Sequence, residues 1–233
     1  MANNVVLANG IMQQYLKEFV VYVGETSVAD VYFGFSTKPR FYVTVTPAST
    51  IVTQWLSAVL HRYRQNLYAH NLVVGLGVQW LHPSNNNPNP STANTLQVCV
   101  GTECLIFQLS NADMIPESLQ RFLLNRYNTF VGFWNNGDRW RLARSEHCLK
   151  LYRYPMDLRY KAVRLCNEDL LLAKLDEIAS KCLGFKVEQS REIGMSNWGE
   201  LNLDSDQIAY ASINAYCLYL MGVSIQAWKY KDD

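Results

Sequence analysis

The chain has 233 residues, enough to bury a substantial core within one domain of ordinary to large size. A hydrophobic fraction of 49% and a charged fraction of 18% exclude an intrinsically disordered chain. The net charge of +1 carries no argument for or against a polyanionic partner. Locally the balance differs: no Asp or Glu stands between Asp30 and Glu103, while Lys38, Arg40, Arg62 and Arg64 do.

From the N-terminus, about twenty weakly patterned residues precede Phe19–Val23 and Val31–Phe35, which read as strands around Gly24-Glu25-Thr26. Phe41–Val45 is a third strand, ended by Thr46-Pro47. From Ser49 a helix follows, in which Ile51, Trp55, Val59 and Tyr63 recur at four-residue spacing and place Arg62 and Arg64 away from the apolar centre. Leu72–Trp80 is an uninterrupted apolar run and is expected as a central strand buried on both faces. A long Pro/Asn/Ser-rich loop (82–93) separates it from a hairpin, Thr95–Val100 and Cys104–Leu109, about Gly101-Thr102.

Pro116 opens a short helix to about Leu124, Asn128–Phe133 is a further strand, and Asn136-Gly137-Asp138 starts the next helix. Asn167 is expected to cap a helix whose Leu171, Leu175, Ile178, Ala179 and Cys182 share a face, with Gly184 beyond its end. A last helix runs from Asp204 to Met221, closed by Gly222. Strands that meander, a strand after a helix, then helices, read as an α/β domain with a mixed sheet.

The six cysteines, Cys99, Cys104, Cys148, Cys166, Cys182 and Cys217, form no CxxC pair and no zinc spacing with the four histidines. No apolar stretch approaches membrane-spanning length, and no secretory core opens the chain. A reducing compartment, cytoplasmic or nuclear, is the expectation, with no membrane partner.

Three stretches carry chemistry. At the end of the central run, Gly77 and Gln79 fall on one face, where open α/β sheets gather their ligands. Val131-Gly132 leads through Asn136-Gly137 to Asp138, followed by Arg139 and Arg141. Tyr210 and Asn214 lie four apart, stacked on one helical face. Singly, these are core packing, an N-cap, and a packed tyrosine beside a hydrogen-bonding asparagine.

Together, and in this order, they resemble the motifs of the proofreading-type (DEDDy) 3′–5′ exonucleases, specifically the Werner-type branch. That family carries D-x-E on a first strand, an Asp within V-G-x-x-x-x-x-D, and Y-x-x-x-D on a late helix. Ser196-Asn197-Trp198, Asp206-Gln207 and Tyr210-Ala211 resemble the branch's approach to its last motif. The similarity runs from about Leu72 to Met221, with residues 1–71 packed on it as N-terminal strands and helix of a single domain spanning 1–233. It implies a ribonuclease-H-like fold, a mixed sheet flanked by helices.

The resemblance also implies a degenerate catalytic site. Gly77, Gln79 and Asn214 occupy three carboxylate positions, while Asp138 and Tyr210 keep the expected chemistry. Family members hold two divalent ions on their carboxylates, and the tyrosine positions the attacking water. No bound cofactor is therefore expected, with Mg²⁺ or Mn²⁺ the requirement if the chain is active and Asp138 the residual ligand. Asp204 and Asp206 read as helix caps, and Asp157 has no assigned role. Arg139 and Arg141 are weak candidates for contacting single-stranded RNA or DNA.

More narrowly, the strand Tyr42–Pro47, the Trp55 helix and the run V-V-G-L-G-V-Q-W resemble a plant group of small Werner-type proteins. The RISC-interacting clearing exoribonucleases, hexameric rings acting on short RNA, are among its relatives. That implies a homo-oligomer, a hexamer, in a single-stranded RNA setting. Three readings result: a nucleic-acid or nuclease-partner binder with weak or lost cleavage, an active exoribonuclease completed across a subunit boundary, and a structural or regulatory subunit of a homologous ring.

Overall fold

In a computed structural model that describes residues 19–23, 28–33, 41–82, 92–161, 170–184, 187 and 189–230, the frame is an eight-stranded mixed sheet. Its strands are β1 (Phe19–Val23), β2 (Val28–Phe33), β3 (Phe41–Thr46), β4 (Val73–Gln79), β5 (Thr95–Val100), β6 (Glu103–Gln108), β7 (Thr129–Gly132) and β8 (Met156–Asp157). Their spatial order is β1-β2-β3-β6-β5-β4-β7-β8. β1 to β3 form an antiparallel meander, and β6, β5 and β4 form another. Parallel pairs join β3 to β6, β4 to β7 and β7 to β8. The expected cap at Asn167 lies outside the described residues, as does most of the Pro/Asn loop.

Helices α1 (Ser49–Arg62), α2 (Arg64–Tyr68), α3 (Glu117–Leu123), α4 (Asp138–Arg144), α5 (Leu175–Leu183), α6 (Arg191–Gly194) and α7 (Ser205–Ser224) flank the sheet. Side chains alternate across a strand, so β4 serves two cores. Val74, Leu76 and Val78 join Leu96, Val98, Leu105 and Phe107 beneath α1 and α3. On the other face Val73 and Val131 meet Ile213, Cys217 and Met221 of α7 and Ile178 of α5. The fold is α/β with a mixed sheet, and the run around Leu72–Trp80 is interior to it, as expected.

At two glycines α7 comes especially close to the sheet. A Cβ on Gly75 would collide with the Ala215 carbonyl, and one on Gly222 would stand 2.7 Å from Val73 Cγ1. Gly222 therefore does not close the last helix. It lies inside α7, which runs on to Ser224, because its missing side chain lets the helix rest on β4 and β7.

Two helical faces also differ from expectation. In α1 the buried residues are Ser49, Val52, Trp55, Leu56 and Val59, so the stripe is rotated away from Ile51, while Tyr63 ends the helix. α5 begins at Leu175 after an extended Lys174, leaving Leu171 in the preceding turn. Asp176 and Glu177 sit in the first turn of α5, where carboxylates suit the helix dipole. Cys99, Cys104, Cys148 and Cys217 are free thiols.

Candidate functional site

Gly77 and Gln79 continue the face of β4 that carries Gly75, and so point toward α7. Tyr210 and Asn214 descend from α7 toward the same place. Asp138 arrives from the start of α4, just beyond β7. All five line one cleft of about 610 Å3, together with Trp80, His82, Trp134, Lys174, Asp176, Gln189 and Arg191. Arg139 and Arg141 are not brought into it. Arg139 lies over the Tyr154 ring at 4.5 Å, and Arg141 turns back over Trp80 at 3.7 Å.

The cleft's cations are Lys174 and Arg191 instead. Sequence reasoning missed both. The only local signal was Ser190, whose hydroxyl caps α6 by accepting the Ile193 N–H.

Position 77 faces Gln97 of β5. The buried Gln97 amide donates through Nε2 to Thr95 Oγ1 at 2.6 Å. A Cβ at residue 77 would stand 2.9 Å from Gln97 Oε1. A neutral amide thus fills the space into which an aspartate would grow.

Asp138 is buried, and burial pushes its carboxyl up to about 7; Arg141 opposes that rise and Asp157 adds to it. Burial lowers the Arg141 guanidinium, with Asp138 working the other way. The turn leading to Asp138 is held by Trp134 in a left-handed conformation (φ 49°) and by Asn135, which donates to the Pro155 carbonyl at 2.8 Å.

Asp157 sits on β8 beside Gly132 of β7, close enough to affect Asp138. Arg159 clamps it, with Nη2 donating to Oδ2 at 2.7 Å and Nε to Oδ1 at 3.1 Å, while the Arg159 backbone N–H donates to Oδ1 at 3.0 Å. The guanidinium also covers the Trp134 ring at 3.5 Å. Asp157 is therefore spent on an internal ion pair. Asp204 caps α7 in a reciprocal box with Gln207, and Asp206 lies in that helix's first turn.

Tyr210 pairs with the Asn214 side chain; burial raises its phenol, and that bond works against the rise. Its hydroxyl rests against Gly194, where a Cβ would approach to 2.6 Å. Asn214 Oδ1 and both amide atoms of Gln189 are buried with no hydrogen-bond partner among the described residues.

These donors do not fit a pair of divalent ions. Among the described residues the carboxylates lining the cleft are Asp138, whose carboxyl burial pushes up to about 7, and Asp176, whose Oδ1 accepts the Glu177 N–H. Among the described residues no cluster of three or more His, Cys, Asp or Glu is placed to hold a metal. Amide oxygens of Gln79 and Asn214 offer dipoles where Mg²⁺ or Mn²⁺ needs anionic oxygen.

Known proteins share this frame. A family model described as 3'-5' exonuclease matches residues 87–225, and the chain belongs to that family. The matched range contains Asp138, Tyr210 and Asn214 but begins after Gly77 and Gln79. The bifunctional 3'-5' exonuclease/ATP-dependent helicase WRN of Mus musculus is 28% identical over 148 residues, covering 62% of this chain and 10% of that protein. A 3'-5' exonuclease of Drosophila mojavensis is 24% identical over 179 residues, 71% of this chain and 48% of its own length. The chain thus spans about a tenth and about half of these two relatives.

Among solved structures, the Aedes aegypti Nibbler EXO domain superposes with a TM-score of 0.62 at 13% identity, over 82% of this chain and 90% of that one. Escherichia coli RNase D, an exoribonuclease involved in structured RNA processing, gives 0.61 at 10% identity, over 81% and 45%. The fold is that of these ribonuclease-H-like exonucleases. Among the described residues no helix is long and apolar enough to cross a membrane.

Proposed function

We propose that the chain uses this cleft to bind single-stranded nucleic acid, RNA foremost, with metal-dependent cleavage weak or lost. The carrying observation is the donor set: one buried Asp138, with a carboxyl near 7, beside Gly77, Gln79 and Asn214. Such a set offers few anionic ligands to a metal, and Lys174 and Arg191 on the cleft's walls attract phosphate without an intervening ion. Trp80, Trp134 and Tyr210 supply aromatic faces for bases. In this reading residues 1–233 act as one domain, Gly77, Gln79 and Asn214 are the altered catalytic positions, and the kinship narrows to the small Werner-type proteins of plants.

The test is fluorescence anisotropy with a short single-stranded RNA at low salt, in Mg²⁺ and in EDTA, followed by electrophoresis of the RNA. Equal affinity in both buffers and intact RNA are expected. No binding below roughly 100 µM, the weak end of non-specific affinity, removes the nucleic-acid reading and leaves a nuclease partner or homologous ring as the target.

The second reading, an active 3′–5′ exoribonuclease completed by a neighbouring copy, is favoured by the unpartnered Asn214 Oδ1 and Gln189 amide. It requires a homo-oligomer, a hexamer by the narrower resemblance. Mg²⁺-dependent trimming abolished by Asp138→Ala, in a species that light scattering finds larger than a monomer, would establish it.

A further inference from the structure

The cleft has two sides over which a bound chain could leave, and they differ in charge. Toward α5 it runs into a groove of about 650 Å3 that shares Asp176, Gln189 and Ser190 with it. Glu177 joins Asp176 there, so among the described residues two carboxylates line that groove against the single cation of Lys181. On the side of β7 the rim is Trp134.

Trp134 is held in an unusual way. Its backbone is left-handed, a region that bulky residues seldom adopt. The Arg159 guanidinium covers its ring at 3.5 Å and is itself fixed by the ion pair with Asp157. The residue nevertheless stays 49% exposed, a braced aromatic ring at the mouth of the cleft. Strain kept at an exposed aromatic marks a role outside the core.

The same surface continues past the rim. The Arg159 guanidinium also lies 5.5 Å from the centre of the Tyr160 ring, and Tyr160 is exposed. Asn135, next to Trp134, donates to the carbonyl of Pro155, next to Tyr154, which keeps a second pair close by. There Arg139 lies over the exposed Tyr154 ring. Unlike Arg159, Arg139 has no carboxylate partner among the described residues. The acids of residues 133–141 and 152–161 are Asp138 and Asp157, both buried.

Exposed rings beside an unpaired guanidinium, with no exposed carboxylate among them, suit a polyanion that carries flat bases. A second copy of this chain suits them less. A two-fold contact lays the same patch on itself and would oppose cation to cation with no acid between. We propose that a single strand seated in the cleft leaves it over this strip and not along α5. Its bases stack on Trp134 and Tyr160, and a phosphate meets Arg139 beside Tyr154. The route rests on the cleft being a nucleic-acid site, as proposed above.

Fluorescence anisotropy on the full chain with single-stranded RNA of graded length tests this. The unmodified chain should bind an octanucleotide at least about tenfold more tightly than a tetranucleotide, because each further base laid on the strip adds stacking. Tyr154→Ala combined with Tyr160→Ala should erase most of that gain. Independently, Arg139→Ala should flatten the slope of log affinity against log salt by about 0.7, the share of one phosphate on a single strand. All three side chains lie outside the buried core, so these variants fold. Glu177→Gln in the α5 groove should leave the length gain as it is.

Equal binding of the two RNAs, or a length gain that survives both the tyrosine pair and Arg139→Ala, would overturn the route and leave the cleft standing. A length gain enlarged by Glu177→Gln would overturn it too, by carrying the strand along α5. Binding of neither RNA removes the cleft reading and this one with it. A parent oligomer that the tyrosine pair dissolves in light scattering, with octanucleotide affinity unchanged, would make the strip a contact between copies instead.

Discussion

Gln97 holds the space that an aspartate at position 77 would enter, and it does so through a hydrogen bond of its own. Gly77→Asp must swing that amide aside and break its bond to Thr95, at a cost of about 1–3 kcal/mol. Adding Gln97→Ala should recover part of the loss. Denaturant midpoints of the two single variants and the double variant check this, and strict additivity would count against the contact.

Asp138 gives a pH signature. Its folded carboxyl sits near 7 against an ordinary 3.8, so between those values the folded chain retains a proton that the unfolded chain has lost. Stability from this group is full below about 4, declines as pH rises to about 7 and is flat above. Asp138→Asn removes the decline. The variant should be more stable than the parent at pH 8 by up to roughly 4 kcal/mol, the gap closing toward pH 4, as urea unfolding across that range would report.

Among the elements, β8 is held by the pair it carries. Arg159 neutralises the buried Asp157, bonds the Leu171 carbonyl at 3.0 Å and roofs the Trp134 ring. Arg159→Ala strands a buried carboxylate and should destabilise the fold by about 3–5 kcal/mol in thermal or urea unfolding. A loss below about 1 kcal/mol would mean the pair behaves as a surface one.

β4 was legible as an unbroken apolar run, α1 through its four-residue recurrence although its buried stripe is rotated, and α7 through its N-terminal cap, while the five positions in the cleft were legible because local motifs bear them. Gln97, Arg159 and Lys174 were not legible. Their roles depend on strand register and on a turn that closes from elsewhere in the chain, which no local pattern encodes. Gly222 misled for a related reason: a glycine near a helix end looks like a stop until the strand beneath it is known.

For the whole molecule, the decisive property is its response to divalent ions. Mg²⁺ or Mn²⁺ at millimolar concentration should leave the melting temperature of the unmodified chain unchanged. Gly77→Asp, Gln79→Glu and Asn214→Asp together place three more carboxylates around Asp138, whose mutual repulsion lowers stability without metal. Metal should then restore it, by about 2.7 kcal/mol at a hundredfold excess over Kd. Single restorations should show little of this, since one added carboxylate does not complete the set. A clear metal-dependent shift in the unmodified chain would argue for ligands from a neighbouring copy.

The seating of α7 on bare backbone at Gly75 also governs motion. With no side chain between Ala215 and the strand, helix and strand are packed backbone to backbone and should open together. Their amides, from Ala211 to Gly222 and through the middle of β4, should be among the slowest to exchange with deuterium. The opposite wall, built from the turn before α5 and the single turn of α6, rests on side-chain contacts instead, Arg159 on the Leu171 carbonyl and Tyr210 against Gly194. Breathing of the cleft on the microsecond-to-millisecond scale should therefore fall on the wall that carries Lys174 and Arg191 rather than on α7, which relaxation-dispersion measurements would show.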